Sequence, residues 1–160
     1  MIIIINTLND LKKVINVTFL EFSLNLPCNS DKLFQKITDF ENFNQYIPNQ
    51  LESVKVLKKD NNKTVTEEKI RSISILKNSF EQTSAHTVKK NEIETEIISG
   101  PAKGTIIESF FQNLDSGTEV IIKINLKLSL KYKLFTPIVK KTYRQMLTGV
   151  LYKMNKEIDE

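Results

Sequence analysis

Apolar and polar residues alternate along most of this chain, and helical spacing is confined to a short stretch near the start and a long one at the end. Thr18, Leu20, Phe22, Leu24 and Leu26 recur at period two, which predicts a strand over 14–26 with Val17, Phe19, Glu21, Ser23 and Asn25 on its other face. Pro27 ends it, and Asn29-Ser30-Asp31 supplies N-cap chemistry for a short helix over 31–38 carrying Leu33, Phe34 and Ile37. A second helical turn spans 40–46, and Pro48 closes it.

The period then returns to two. Strands are expected over 53–58, 64–76, 80–88, 92–98, 105–112 and 119–130, separated by turn chemistry such as Lys59-Asp60-Asn61-Asn62-Lys63, Gly100-Pro101 and Asp115-Ser116-Gly117. The last strand is the clearest. Val120, Ile122, Ile124, Leu126, Leu128 and Leu130 line one face, and Glu119, Lys123, Asn125, Lys127 and Ser129 the other. One buried and one wet face is the mark of an antiparallel sheet. Thr136-Pro137 then reads as the N-cap and first turn of a long helix with a stripe of Val139, Thr142, Met146, Val150 and Met154, flanked by Tyr143 and Leu147. Gly149 beside that stripe suggests close approach or room left open. Short turns between consecutive strands favour hairpins over parallel crossovers.

Composition adds class without function. The 160 residues are 40% hydrophobic and 26% charged, an ordinary globular balance expected to form one domain over 14–160 after an extension over 1–13. No stretch approaches the roughly 18 apolar residues of a spanning helix. The Ile-rich start lacks a basic n-region, so the cytoplasm is the default location. A formal charge of +4 is too weak to argue for DNA.

Chemistry-bearing motifs are sparse. Phosphate-cradling glycine loops, a nucleophile elbow and zinc-ligand spacing are missing, so neither a cofactor nor a metal is expected. Cys28 is the one cysteine and His86 the one histidine, far apart in sequence, and a buried thiol is the ordinary reading of the former. His86 shares a face with Phe80, Gln82 and Ser84 and is ordinarily a partly exposed strand residue. Glu68 is ordinarily a solvated strand-end residue. If it points inward, it becomes a candidate acid/base or polar anchor.

The element order resembles the helix-grip fold of the START-like superfamily, which includes polyketide cyclase/dehydrase and Bet v 1-like proteins. Two stretches carry a narrower likeness, to the coenzyme Q-binding and ribosome-association-toxin branch. One is Leu26-Pro27 leading to Ser30-Asp31-Lys32-Leu33-Phe34, Asp39-Phe40 and Tyr46-Ile47-Pro48; the other is Ile97-Ile98-Ser99-Gly100-Pro101-Ala102-Lys103 with Phe111 and Leu114. Ala102 stands where Phe is common and Ser109 where Trp is common, two losses of bulk that would enlarge a cavity or change its ligand.

The resemblance implies an α+β fold: a curved seven-stranded antiparallel sheet wrapped around a long C-terminal helix, with two short helices after the first strand and a ligand cavity between sheet and helix. The expected lining is Ile93, Thr95 and Ile97; Ile107, Ser109 and Phe111; Ile122, Ile124, Leu126 and Leu128; and Met146, Gly149 and Val150 from the helix, with Phe43 and Tyr46 at the mouth. The Ile106/Phe110 face competes with Ile107/Phe111 for the inward register. The leading expectation is carriage of an apolar small molecule such as a lipid, isoprenoid, quinone or polyketide-like compound. A cyclase or dehydratase would need Glu68, His86, Ser109 or Tyr46 to converge in the cavity. A ribosome- or RNA-contacting protein, or one touching anionic membrane, would use the basic edge of Lys140, Lys141 and Arg144. Oligomeric state is open.

Overall fold

The computed structural model describes residues 18–71 and 78–159. Strands β1 (Phe19–Leu26), β2 (Leu51–Lys59), β3 (Lys63–Ile70), β4 (Phe80–Lys89), β5 (Glu92–Ile97), β6 (Ile106–Leu114) and β7 (Gly117–Asn125) form one antiparallel sheet, ordered β1-β7-β6-β5-β4-β3-β2. Helix α1 (Ser30–Ile37) and a 3-10 helix (Phe40–Gln45) connect the two edge strands. A second 3-10 helix (Leu130–Phe135) leads into α2 (Thr136–Asp159). This is the helix-grip architecture, a curved sheet with the C-terminal helix against its inner face.

Register explains which residues meet the helix. One continuous row runs Leu20, Ile124, Ile107, Thr95, His86, Thr64 across six strands. Inward residues are therefore even-numbered on β1, β3, β4 and β7 and odd-numbered on β5 and β6, because side chains alternate strictly along a strand. Ile107, Ser109 and Phe111 take the inner face and leave Ile106 and Phe110 outside.

Several boundaries differ from the periodicity. Residues 14–17 of the first expected strand and 72–76 of the third lie outside the described residues, as does the expected extension over 1–13. The last strand stops at Asn125 rather than 130. Asn125 is the final residue paired on both sides, opposite Phe19 and Ile106. Beyond it Lys127 N–H donates to the Thr105 hydroxyl at 2.9 Å, and that hydroxyl donates to the Lys127 carbonyl at 3.1 Å, so a side chain replaces the ladder.

The caps follow local chemistry. Asn29 Oδ1 accepts from the Asp31 and Lys32 N–H groups at 3.0 and 3.1 Å and starts α1. Thr136, expected to cap α2, instead donates its hydroxyl to the Lys133 carbonyl at 2.6 Å, which fastens the second 3-10 helix to the long helix. Gly117 opens β7 at φ 143°, with the Leu26 carbonyl where a Cβ would stand, so the hairpin tip closes directly onto the end of β1.

The closed core fills one side of the sheet. Phe22, Leu26, Phe111, Val120, Ile122 and Ile124 pack with Leu33 and with Val150, Leu151 and Met154 of α2. Full burial of each such side chain is worth about 1.5–3 kcal/mol. Phe34 meets Phe111 edge-on at 5.3 Å between centroids. Polar ties hold the C-terminal end of α2 to this side: Cys28 N–H donates to Asn155 Oδ1 at 3.1 Å, and Lys153 Nζ donates to the Tyr46 carbonyl at 2.6 Å.

Candidate functional site

The other side of the sheet is not filled. A cavity of about 240 Å³ lies between β3–β6 and the N-terminal half of α2. At about 30 Å³ per water this is space for roughly eight waters, far more than a packing defect. Val139, Tyr143, Met146 and Leu147 form its helical wall; Phe40, Phe43 and Ile47 close one end, and Pro101, Ala102, Leu128, Tyr132 and Phe135 another.

Eight of the expected lining residues reach the cavity: Phe43, Ile93, Thr95, Ile97, Ile107, Ser109, Leu128 and Met146. Seven fall elsewhere. Phe111, Ile122, Ile124, Leu126 and Val150 are locked in the closed core. Gly149 adjoins neither wall nor neighbour, since a Cβ there would meet nothing within 4 Å. Tyr46 is not at the mouth. It is buried, and its hydroxyl donates to Glu157 Oε2 at 3.0 Å, beside the Lys36–Glu157 ion pair at 2.8 Å. Those two bonds hold the Glu157 carboxyl below its ordinary value; burial, then the Glu157 bond, pushes the Tyr46 phenol up. Tyr46 is a strut between the first 3-10 helix and the end of α2. Both small residues noted in the sequence, Ala102 and Ser109, line the cavity.

The polar part of the wall is a single seam across β3, β4 and β5. Glu68, ordinarily a solvated residue, points inward because it shares the even face of β3. Its Oε1 accepts from Thr66 Oγ1 at 2.8 Å, and its Oε2 accepts from Gln82 Nε2 at 2.8 Å and Ser84 Oγ at 3.0 Å. His86, ordinarily half exposed, is buried, with its ring stacked on Phe40 at 4.1 Å between centroids. Its Nε2 is 2.9 Å from Thr66 Oγ1 and 3.7 Å from Glu68 Oε1, and its Nδ1 is 2.9 Å from Thr95 Oγ1.

An ionised carboxylate only accepts, so Thr66 gives its hydroxyl proton to Glu68 and must accept from His86 Nε2–H. Burial alone would raise the Glu68 carboxyl. The neighbouring His86 ring and the bonds from Thr66 and Gln82 outweigh it and hold the group below the ordinary carboxylate range.

Sequence reasoning missed Tyr143 as more than a flank of the stripe. Burial, reinforced by the Glu68 charge, pushes its phenol far above the ordinary range, so it stays protonated. Among the described residues nothing hydrogen-bonds its hydroxyl, which leaves one unpaired donor on the cavity wall. The signal was present as Tyr143 one residue from the stripe position Thr142. Cys28 sits apart in the closed core, its thiol pushed up by burial and by the Asp159 charge. Among the described residues no group of three or more His, Cys, Asp or Glu is placed to hold a metal ion, and no helix is long and apolar enough to cross a membrane.

Solved structures share this architecture. The chain superposes on the Zhui aromatase/cyclase from Streptomyces sp. R1128 with TM-score 0.73 at 12% identity, covering 88% of this chain and 93% of that one. A START superfamily protein from Mycobacterium smegmatis gives 0.70 at 15% identity, over 88% and 97%. A STAR-related lipid transfer protein from Xanthomonas axonopodis gives 0.71 at 13% identity, over 85% of each chain. At these identities the likeness is one of fold. No curated protein matches the sequence. The family model for polyketide cyclase / dehydrase and lipid transport proteins matches residues 26–154, and with the START-like helix-grip fold around it, this chain belongs to that family.

Proposed function

We propose that the protein binds and carries an apolar small molecule with one polar end group. The observation that carries this reading is the cavity itself: apolar walls, one buried polar seam, and small side chains at Ala102 and Ser109. Pockets that are mostly apolar with a few convergent polar groups are the usual form of small-molecule sites. The seam sets the ligand's orientation. Three protein donors already occupy Glu68, so it keeps room for about one more, and Tyr143 offers a free hydroxyl. A hydroxyl or phenol on the ligand, able to donate to Glu68 and accept from Tyr143, fits that pair. Isoprenoid, quinol and polyketide-like molecules share this character.

The convergence of Glu68 and His86 favours a second reading, acid/base chemistry on a bound polyketide-like molecule, in line with the aromatase/cyclase among the fold's relatives. Carriage ranks first because both ring nitrogens of His86 are engaged by Thr66 and Thr95, so neither is free to take a substrate proton without breaking the seam.

Native mass spectrometry of protein from its source, followed by organic extraction, tests carriage. A stoichiometric apolar adduct is expected on the natural chain and none on Ser109→Trp, whose indole occupies the cavity. A bare natural protein that also ignores hydrophobic fluorescent probes would overturn the reading. Turnover of a released molecule that stops in His86→Gln would promote the catalytic one.

A further inference from the structure

The segment that ends the cavity also carries an unusual surface. Of the nine large hydrophobic residues exposed among the described residues, four fall between 130 and 138. Leu130 and Leu134 are 82% and 91% exposed, and Ile138 is 48% exposed. Scattered exposed aliphatics need no explanation, but a contiguous set does. These three fall within nine consecutive residues that run through the second 3-10 helix and into the first turn of α2. Phe135 is both exposed and part of the cavity wall, which joins this surface to the cavity.

Charge around the set is of one sign. Lys131 and Lys133 precede Leu134, and Lys140 and Lys141 follow Ile138. Among the described residues none of these four has a carboxylate partner within salt-bridge distance. The bias extends further: residues 120–156 hold nine of the chain's 23 Lys and Arg and none of its 19 Asp and Glu. The rest of the chain is net acidic, so basic residues are concentrated in the stretch of sequence that carries the exposed aliphatics.

We propose that this face docks on an anionic lipid surface, with Leu130, Leu134 and Ile138 entering the headgroup–acyl boundary and the four lysines meeting anionic headgroups. Apolar residues beside lysines suit an interface that is oily inside and negative outside. Single-stranded RNA would instead call for exposed aromatic platforms, and the two most exposed residues here, Leu130 and Leu134, are aliphatic. Docking stands independently of what the cavity holds.

The test is co-sedimentation with vesicles of phosphatidylcholine, with and without phosphatidylserine. Binding is expected only to the anionic vesicles and is expected to weaken with salt. Leu134→Glu should abolish it, and because that side chain touches little of the protein, unfolding is not a competing cause. Lys140→Glu with Lys141→Glu should weaken it by at least about fivefold for each lysine lost. The chain has no tryptophan, so Leu134→Trp supplies a single reporter whose emission should shift to the blue on anionic vesicles. Absence of vesicle binding would overturn the proposal, as would binding that survives Leu134→Glu. Salt-sensitive retention of RNA without vesicle binding would assign the face to nucleic acid. A blue shift caused by self-association alone would assign it to a second copy. Vesicle binding by a protein that carries no adduct would support docking while overturning carriage.

Discussion

Glu68 is stabilised as an anion by its surroundings, and the consequence is a dependence on acid. A carboxyl held below its unfolded value of about 4.3 contributes stability that is fully present above that pH and is lost as pH falls through the folded value. Glu68→Gln replaces one acceptor oxygen by an NH₂ group that faces donors, so at neutral pH it should cost about 1–3 kcal/mol. The gap between the two proteins should narrow on acidification below about pH 4, because only the natural chain has this contribution to lose. Urea unfolding of both proteins at several pH values measures it, and a gap that widens in acid would contradict the assigned charge state. The inward pointing of Glu68 and His86 could be read from parity with their strand neighbours. Their contact could not, because it requires the β3–β4 pairing that sets Thr64 opposite His86.

At the scale of elements, α2 is two helices in function. Its N-terminal half borders empty space and its C-terminal half is core, yet the apolar stripe runs unbroken along both. That is why the sequence named Met146 and Val150 together while the structure separates them. The same division explains β7, where Ile122 and Ile124 look identical to cavity residues until the helix covers them. Periodicity reports which face is inward; only the crossing of helix over sheet decides whether anything opposes it. Gly149 lies in this helix with no atom within 4 Å of an added Cβ and no left-handed backbone to preserve. Gly149→Ala should therefore stabilise the protein by about 1 kcal/mol through helix propensity, seen as a higher urea midpoint with an unchanged slope. A loss of stability would mean that the glycine serves a closer contact, the other option its position allowed.

For the whole molecule, cavity and core compete for the same inner face, and the cavity is maintained at a cost in stability. The closed side has Phe111 on β6, whereas two residues earlier the same strand presents Ser109 to open space. The Ser109 hydroxyl makes no hydrogen bond among the described residues, so replacing it forfeits none. Ser109→Leu adds apolar groups where there is room, each worth about 0.8 kcal/mol per methylene when buried. The ligand-free variant should gain about 1–2 kcal/mol. For a chain near this size that corresponds to a melting temperature several degrees higher, at about 2–4 °C per kcal/mol. The same substitution should remove the further thermal shift that the extracted ligand gives the natural protein, since binding to the folded state alone is what raises stability. Opposite signs from one substitution separate a ligand site from an imperfect core. If Ser109→Leu were stabilised and still responded fully to ligand, the cavity would not be where the ligand sits. If it were destabilised without ligand, the space beside Ser109 would be closed in solution, and the Ser109 position would be part of the core after all.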